Sequence, residues 1–489
     1  MNEILVAAPV LVPLATAFAT ALAGRTPRTQ QAMSLVGVGL FLFSAAALAV
    51  HVETGGPART AFGGWAPPFA IEFVADRLSV SFVVLTAIIA LASLLFQASG
   101  VGRVTESPAL HPLIHGFLAG MVGVFLTGDL FNLYVWFEVI LITSLGLLAL
   151  GQTPRQLDAT FRYFVLNVVG TLFLLLGVSY LYAVTGHLDY ASVGDAVRSI
   201  SPNRVVVFAV VIMTALLMKA AAFPVFSWLP ATYHTLPAPI VALFAALGTK
   251  AGVYGILRLR GDVFLTLPVL FDDTLGWIAV ATMVGGVLGA AYHWDMRRIL
   301  AFHSVSQVGY MLLGIALGTV VGTQGALVFA IHHSLVKANL FLIAALVFRY
   351  TGSYDLRQIG GVSSARPWLG ALFLSQALSL VGMPPLSGFW AKLIVVREAL
   401  VLGHGAWAAI ALAVGLLTLY SMLKIWLEAF WKPHPTPQLV SSEGTDRPVT
   451  MAIVATTGLA ALTTLIGLWP EFLLRYTLLA VQGLGRQTP

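Results

Sequence analysis

Long apolar runs make up most of this chain, and short polar stretches separate them. A helix that crosses the hydrocarbon core of a bilayer needs about 20 predominantly apolar residues, with a range of roughly 17–25. The pattern therefore predicts an all-α polytopic membrane protein with about fourteen transmembrane helices. The predicted helices span residues 4–23, 31–50, 78–98, 111–127, 130–150, 161–185, 205–222, 238–257, 274–292, 299–318, 323–348, 367–400, 406–427 and 450–469.

Proline interrupts two of these apolar segments. The seventh helix runs into a stretch that contains Pro224 and Pro230, and the long twelfth contains Pro384, Pro385 and Gly388. Proline removes a backbone donor and clashes with the preceding turn, so we expect a helix break at each place. Broken backbone at membrane depth is found where it is buried in protein or lines a wet cavity. Two such helices in one chain are typical of inverted repeats in transporters.

The two broken helices lie five helices apart, which predicts two inverted five-helix repeats, helices 4–8 and helices 9–13. We expect one membrane domain over residues 1–489, since no polar stretch is long enough for a soluble domain. Within it, residues 1–110 hold helices 1–3, 111–258 the first repeat, 273–430 the second repeat and 449–489 the last helix. The repeat rests on spacing alone, and two unrelated kinks are the alternative.

Charged residues are scarce, and their scarcity narrows the class of protein. Only 9% of the residues are Asp, Glu, Lys or Arg, against about 25% in a typical soluble domain. This composition excludes a soluble enzyme, a nucleic-acid-binding protein and a disordered chain. The chain has no Cys, which removes disulfides and Cys-ligated iron–sulfur or zinc sites. We expect no cofactor and no metal site. The adjacent His332 and His333 point apart on a helix, so haem ligation by this pair is disfavoured.

The distribution of Lys and Arg among the loops predicts the orientation. Loops after odd-numbered helices carry more Lys and Arg than loops after even-numbered helices. Cytoplasmic loops of membrane proteins carry this excess, so we expect both termini outside a bacterial cell membrane. The net charge of +6 then needs no anionic partner such as nucleic acid.

One carboxylate and one lysine would each place a charge of opposite sign in the membrane core. Glu138 lies about the middle of helix five, and Lys219 lies in helix seven. A single charge at the bilayer centre costs roughly 2.5–3.5 kcal/mol on insertion scales. An ion pair between Glu138 and Lys219 is the simplest solution, either as part of a transport path or as a static link between helices. Asp129 begins helix five, where a helix cap is the usual role and an ion uptake or release point is the alternative.

Three further lysines lie in the apolar runs without a comparable acidic partner: Lys250, Lys337 and Lys392. Lys337 follows His333 by one helical turn, so the two share a helix face. Burial makes a lysine ammonium easier to deprotonate, and a neighbouring carboxylate opposes that effect. A row of such groups is the physical basis for a proton relay. For a single lysine the alternative is snorkelling, with the ammonium reaching water.

Polar side chains could connect these lysines through hydrogen bonds or water. His303 and Gln307 lie one turn apart on helix ten, with Ser306 and Tyr310 on a neighbouring stripe, and Thr249 precedes a buried lysine. Such a face could hold water between lysines that are too far apart to touch. Ordinary interhelical hydrogen bonding is the alternative.

These residues carry a resemblance to a known family. The segments are helix-five Glu138, Lys219 with its following Phe-Pro-Val-Phe-Ser-Trp-Leu-Pro, Lys250, His332-His333-Ser-Leu-Val-Lys337-Ala, and Met-Pro-Pro-Leu-Ser-Gly-Phe-Trp-Ala-Lys392. Helices four to thirteen resemble the antiporter-like membrane subunits shared by respiratory complex I and the Mrp-type multisubunit sodium/proton antiporters. The sequence from Gly128 to Glu138 looks most like the Mrp type. One departure is Phe226, where many relatives have a histidine.

The resemblance implies an ion transporter subunit rather than an enzyme, with proton movement coupled to sodium efflux in a membrane hetero-oligomer. It implies that Glu138 and Lys219 form a gating ion pair, that Lys250 and Lys337 form the central relay, and that Lys392 is the terminal exchange site. With one clear deep carboxylate here, we expect sodium to cross mainly at another subunit or an interface. The alternatives are a proton-pumping subunit of a complex I-like or hydrogenase redox complex, a structural or assembly subunit, and a transporter of an organic solute.

Overall fold

The apolar runs fold as helices throughout the part of the chain that the computed structural model describes, residues 2–24, 26–65, 70–101, 107–265, 267–434 and 449–484. Eleven helices are long and apolar enough to cross a membrane by length and composition, and Leu110–Leu126 and Pro367–Val381 are shorter apolar helices. The chain is therefore a polytopic all-α membrane protein, and the count of fourteen spans stays a prediction. Four cations of the loop comparison lie outside the described residues: Arg25, Arg103, Arg447 and Arg486.

The elements follow one another with short connections. The helices are α1 (Asn2–Leu22), α2 (Pro27–Gly55), α3 (Arg77–Ala98), α4 (Leu110–Leu126), α5 (Leu130–Ala149), α6 (Pro154–Thr185), α7 (Tyr190–Arg198), α8 (Pro202–Lys219), α9 (Trp228–Tyr233), α10 (Ala238–Leu243), α11 (Thr249–Asp262), α12 (Val269–Tyr292), α13 (Met296–Ala316), α14 (Val320–Thr351), α15 (Val362–Ala365), α16 (Pro367–Val381), α17 (Ser387–Val401), α18 (Gly405–Ile425), α19 (Thr450–Leu468) and α20 (Pro470–Gln482). The strands are β1 (Ala58–Ala61) and β2 (Glu72–Ala75), and π-helical turns span Phe244–Gly248 and Trp426–Trp431.

The long polar stretches contain more structure than their composition indicates. Strands β1 and β2 pair antiparallel within residues 51–76, and an ion pair of 3.3 Å between Arg59 and Glu72 links them. Helix α7 occupies half of residues 186–203. The N–H of Gly128 donates to the backbone carbonyl of Glu72 at 2.9 Å, so the hairpin packs on the loop before α5. These elements cover one end of the helix bundle.

The first predicted break lies between α8 and α9. Helix α8 ends at Lys219, and the chain passes through Pro224 before α9 begins. The indole Nε1 of Trp228 donates to the carbonyl oxygen of Met218 at 3.1 Å, which gives a partner to a carbonyl near the break. Buried broken backbone is tolerated when its polar groups are paired in this way. The prediction of a helix break at Pro230 is wrong. Pro230 lies in the first turn of α9, where a missing N–H costs no hydrogen bond.

The second break separates α16 from α17, so the long twelfth apolar run is two helices, as predicted. Pro384 and Pro385 lie in the connection. The prediction that Gly388 is part of the break is wrong, since Gly388 is the second residue of α17. Its role is close packing: a Cβ there would overlap the carbonyl oxygen of Ser379 and lie 2.8 Å from Nε2 of His332. Only glycine allows the backbone this approach.

Two loop crossings, one in each half of the chain, are pairs of loops joined by the same pattern of backbone hydrogen bonds. Asp129 and Asp189 face each other in an isolated antiparallel bridge, and so do Asp295 and Asp355. In each bridge, the residue after either aspartate donates its N–H to the carbonyl before the other. The second aspartate of each bridge ends a Thr-Gly-x-x-Asp stretch. The threonine is the last residue of a 32-residue helix, α6 or α14, and the glycine after it has a left-handed backbone conformation. This motif is a residue-level similarity that helix spacing does not reveal.

Helix α14 lies at the centre of the bundle. Its side chains are buried along almost all of its length, and α11 and α13 beside it are also mostly buried. The peripheral helices expose large apolar side chains instead, for example Phe18, Phe43, Leu172 and Leu416. An apolar exterior, with the deep charged groups kept inside the bundle, is the arrangement that a bilayer requires.

Candidate functional site

Four of the predicted site residues are lysines on four different helices. Lys219 ends α8, Lys250 lies in α11, Lys337 in α14 and Lys392 in α17. Lys219 is 6% exposed, and Lys250 and Lys337 are completely buried. Lys392 is half-buried. We call the set that these lysines form with Glu138, His303, His332 and His333 the buried row.

The first end of the buried row differs from the predicted ion pair. The Nζ of Lys219 donates to the backbone carbonyl of Asn167, on α6, at 3.0 Å, and it lies 5.5 Å from the ring centroid of Phe137. No ion pair joins Lys219 to Glu138 within the described residues. Glu138 itself is half-buried on α5. The predicted contact is therefore open in this structure, and Asn167 is a partner that sequence reasoning missed.

A small internal cavity adjoins Lys219. Its volume is about 20 Å³, which is room for about one water molecule. Lys219 and Asn167 line one part of it, and Gly248 and Ala251, which flank the start of α11, line another. The cavity therefore lies between the first lysine and the helix that carries the second.

Lys250 directly contacts another member of the buried row. Its Nζ lies 2.6 Å from Nδ1 of His333 on α14, and it donates to Ala245 O at 3.1 Å and to Thr249 Oγ1 at 3.3 Å. The π-helical turn Phe244–Gly248 precedes it. Irregular turns of this kind leave carbonyls outside the regular α-helical ladder and are frequent at functional sites. The turn thus helps to place the amine against the histidine.

The next part of the row connects α14 with α13 and α18. Lys337 donates from Nζ to the carbonyl of Leu300 at 2.8 Å. His303 lies one turn further along α13, and its Nε2 is 2.6 Å from Oγ of Ser421. Ser421 was not predicted, because nothing in its own segment of sequence distinguishes it from other buried helix serines.

The far end of the row is built around the second helix break. Nδ1 of His332 lies 2.8 Å from Oγ of Ser387, which was not predicted as a site residue either. Lys392 donates to Val381 O at 2.8 Å, and its Nζ lies 4.8 Å from the ring centroid of Tyr310. The broken helix therefore supplies both a hydroxyl and a free carbonyl to charged or titratable groups.

Several buried polar atoms along the row have no protein partner. Both amide atoms of Gln307 are in this state, as are Nδ1 of His303 and Nε2 of His332 and His333. Buried polar groups without protein partners usually bind ordered water. Gln307 is fully buried one turn from His303, so it fits the predicted role of a water-binding group within the row.

Two other supporting residues have structural contacts. Ser306 donates to the carbonyl of Met283 at 2.9 Å, which links α13 to α12. The hydroxyl of Tyr310 donates to the carbonyl of Ala411, which links α13 to α18, while its ring faces Lys392. Ser306 therefore matches the alternative of interhelical hydrogen bonding, and Tyr310 serves both roles.

Asp129 is a helix cap in this structure. Its Oδ1 accepts the N–H of Asn132 at 2.7 Å, and the residue is 5% exposed. Burial raises the pKa of the Asp129 carboxyl, and hydrogen bonds from the first turn of α5 only partly oppose that shift. Asp129 lies beside Asp189 at one end of the bundle, well separated along α5 from Glu138.

Most members of the buried row are groups that can take up and release a proton. Besides Glu138 its members are lysines and histidines, and Lys250 and His333 are two members in direct hydrogen-bonding contact. The described part of the chain contains no group of three or more His, Asp or Glu arranged to hold a metal ion. Such a set can pass protons by switching donors and acceptors, which histidine does with its two nitrogens.

Comparison with known proteins agrees with this architecture. Residues 127–418 match the family model described as NADH:quinone oxidoreductase/Mrp antiporter, TM. The chain is 38% identical to the D subunit of the Na(+)/H(+) antiporter of Alkalihalophilus pseudofirmus over 98% of this chain and 96% of that protein. It is 34% identical to the D subunit of the Na(+)/H(+) antiporter of Bacillus subtilis, over 96% and 94%. A solved structure of the Mrp complex from Dietzia sp. contains a chain with a TM-score of 0.90 and 31% identity, covering 100% of this chain and 98% of that one.

These findings define the class first: a multi-pass membrane protein with a buried row of titratable groups. More specifically, the chain belongs to the family of NADH:quinone oxidoreductase and Mrp antiporter membrane subunits.

Proposed function

We propose that this chain is the proton-translocating subunit of a multisubunit sodium/proton antiporter, and that protons move along the buried row. The two antiporter relatives with the same extent as this chain are both named as the D subunit, and the structural relative belongs to an Mrp complex. Other antiporter subunits in a membrane hetero-oligomer are therefore its partners. The membrane is a bacterial plasma membrane.

The observation that carries the proposal is the contact of 2.6 Å between Lys250 and His333 in the fully buried centre. Four deep lysines would together cost on the order of 10 kcal/mol on insertion scales, and helix packing does not require them. A hydrogen-bonded lysine and histidine can pass one proton between them, and the transfer needs no acidic side chain at the contact. Lys337 on one side and the cavity beside Lys219 on the other extend this centre in both directions.

Glu138 and Lys219 act in this proposal as a gate that closes and opens. In the open state the amine of Lys219 donates to Asn167 O, as observed. In the closed state it turns to the carboxylate of Glu138, and the loss of its charge from the row changes how readily Lys250 holds a proton. Both Glu138 and Lys392 are half-buried at the ends of the row. Each end is thus available to a neighbouring subunit.

Sodium crosses mainly at another subunit or at an interface. Na⁺, like other hard cations, prefers several oxygen ligands. The buried row offers amines and imidazoles, and Glu138 is its one carboxylate. This chain therefore supplies the proton path of the exchange, and its neighbours supply most of the sodium path.

The proposed topology has fourteen spans in two inverted repeats, residues 111–258 and 273–430, with both termini outside. Two pairs of features support it: the broken helices and the paired aspartate bridges. The arginine-rich loops after α5, α12 and α14 line one cavity, so they lie on one face of the bundle. That face is the cytoplasmic one under the positive-inside rule.

The test uses the complete complex in proteoliposomes with a pH-sensitive dye inside. Glu138→Gln and Lys219→Met should abolish sodium-driven proton movement while the complex still assembles. The matched control is the Lys432–Glu428 ion pair of 2.7 Å, which lies at the end of α18 outside the row. Lys432→Met and Glu428→Gln should keep the wild-type rate. The proposal fails if the Glu138 and Lys219 variants assemble and exchange sodium for protons as fast as the wild type.

A further inference from the structure

One face of the molecule contains an open, arginine-lined cavity that the buried row does not use. Its volume is about 890 Å³, and the loops after α5, α9, α12 and α14 form its walls. Four arginines and two aspartates contribute charge to the lining: Arg155, Arg297, Arg298, Arg357, Asp295 and Asp355. We call it the arginine cavity. With all six ionised, its lining carries a net charge of +2.

The two aspartates neutralise only two of the four arginines. Arg357 contacts both carboxylate oxygens of Asp355 at 3.0 and 2.7 Å, and Arg297 lies 3.7 Å from Asp295. Arg298 has a histidine as its contact, Nε2 of His234 at 3.2 Å. Burial and nearby arginines lower the pKa of His234, and an imidazole carries no negative charge in either ordinary protonation state, so this contact does not neutralise Arg298.

Arg155 is an exposed residue in the first turn of α6. Among the residues that the structure describes, neither Arg155 nor Arg298 forms an ion pair with a carboxylate. Two guanidinium groups on one cavity wall, both without a carboxylate, are a ready site for an anion. Guanidinium forks match phosphate oxygens with two parallel hydrogen bonds.

The loop crossing itself does not require the other two arginines of the cavity, Arg297 and Arg357. The second aspartate bridge, Asp295 with Asp355, has an arginine two residues after each aspartate. The first bridge, Asp129 with Asp189, forms the same backbone bonds with Phe131 and Ala191 at those positions. Since the crossing folds without arginine at one end of the molecule, Arg297 and Arg357 are not needed for the crossing itself.

The surroundings of the cavity fit an amphiphile rather than a free anion. A second cavity of about 410 Å³ shares Arg155, His234 and Arg298 with it. It adds the aromatic side chains of Phe226 and Phe302, together with Asp158 and Arg162, which pair with each other at 3.0 Å. Large apolar side chains near this opening are exposed on the outer surface: Leu157, Phe161 and Phe223. At the rim, Tyr292 is 79% exposed and Trp294 is 39% exposed. Exposed Tyr and Trp at helix ends are typical of the membrane–water interface.

We propose that the arginine cavity binds the phosphate headgroup of an anionic phospholipid. Arg155 and Arg298 hold the phosphate oxygens, and an acyl chain follows Phe226 and Phe302 to the lipid-facing surface. Basic pockets between transmembrane helices at the cytoplasmic side bind anionic headgroups in this manner. The headgroup would join the α5–α6 loop to the α12–α13 loop, and hence the two proposed repeats to each other.

The experiment measures lipid binding to the intact complex by native mass spectrometry after delipidation. Phosphatidylglycerol and phosphatidylcholine are titrated in separate samples, with inorganic phosphate as a third arm. Wild-type complex should retain phosphatidylglycerol at concentrations where phosphatidylcholine is lost. The double variant Arg155→Gln with Arg298→Gln should bind phosphatidylglycerol roughly thirtyfold more weakly, from about 1 kcal/mol for each basic residue near an anionic surface.

The matched control removes two arginines from the opposite face, Arg198→Gln with Arg204→Gln, and should bind phosphatidylglycerol like the wild type. If the double variant does not assemble, the single variant Arg298→Gln is measured and should bind about fivefold more weakly. Equal binding by variant and wild type would overturn the proposal. So would displacement of the lipid by millimolar inorganic phosphate, which would identify a free-anion site, or cross-linking of Arg155 variants to an acidic segment of another subunit, which would identify a protein partner.

Discussion

Replacement of Lys250 by arginine separates two roles that this residue could have. Lysine and arginine both carry a positive charge, so Lys250→Arg preserves any electrostatic or ion-pairing role. Arginine, however, does not release its proton under ordinary conditions. Lys250 is completely buried and its nearest partner is His333, at 2.6 Å. A relay requires release at this contact, and a structural role does not.

The magnitude follows from the two side chains' ordinary pKa values, about 10.4 for lysine and about 12.5–13.8 for arginine. The same buried surroundings act on both in the same direction. At any pH, the ratio of neutral to protonated form is therefore about 100-fold to 2,500-fold lower for arginine than for lysine. If proton transfer passes through neutral Lys250, the exchange rate of Lys250→Arg should fall by about 100-fold or more.

The assay is sodium-driven proton movement in proteoliposomes that contain equal amounts of assembled complex. Lys432→Arg serves as the control, since this lysine pairs with Glu428 outside the buried row and should tolerate the change. His333→Gln tests the other side of the same contact, because glutamine keeps a hydrogen bond but cannot carry a proton. A Lys250→Arg complex that assembles and retains half of the wild-type rate would refute the relay at this position.

Three further predictions concern positions around the row. Asp129→Asn should leave stability and transport unchanged, because Asn caps a helix as well as Asp, whereas Asp129→Ala should cost about 1 kcal/mol of stability; a loss of transport in Asp129→Asn would instead indicate an ion-handling role. Gly388→Ala should impair assembly or halt transport, because its Cβ would overlap the backbone carbonyl oxygen of Ser379, and His332→Ala should not restore the melting temperature in a thermal-shift assay, because that carbonyl stays in place. Arg258→Met should cost about 3–5 kcal/mol at pH 7, because its partner Asp76 at 2.6 Å would remain buried and charged.

The last of these predictions has a pH dependence with a definite sign. Burial raises the pKa of Asp76, but the Arg258 guanidinium and the hydrogen bonds from Ser79 outweigh it, and the net pKa is lowered. A lowered folded-state pKa adds stability above the unfolded value of about 3.9, and that stability is lost as the pH falls through the folded value. The difference in melting temperature between wild type and Arg258→Met should therefore shrink below about pH 4. A difference that stays constant down to about pH 2 would contradict this account.

Much of the fold was predictable because a bilayer imposes simple length and polarity rules on helices. The position of the second break followed from Pro384 and Pro385 in the same way. The hairpin of β1 and β2 was missed, since its short strands lie in a polar stretch where no apolar alternation stands out. Residues 185–189 and 351–355 share too few letters for the sequence alone to show their equivalence.

The chemistry of the row was predictable residue by residue, but its connections were not. Buried charge identified Lys219 and Lys250 without knowledge of the fold. Their partners depend on which helix packs beside them, and helical periodicity gives a direction around an axis rather than a neighbour. Asn167 contributes a backbone carbonyl, and a backbone atom has no signature in the sequence. Ser421 and Ser387 became distinct from other helix serines only when the helices were brought together.

The number of residues in the π-helical turn at Phe244–Gly248 determines the direction in which Lys250 points from α11. Each residue advances a helix by about 100° around its axis. Ser334 on α14 donates to Ala246 O inside the turn at 2.8 Å, so the turn is anchored where it lies. Deletion of a single codon there would rotate Lys250 by about a quarter of a turn away from His333. Every titratable group would remain in the protein, yet the contact between Lys250 and His333 would be lost.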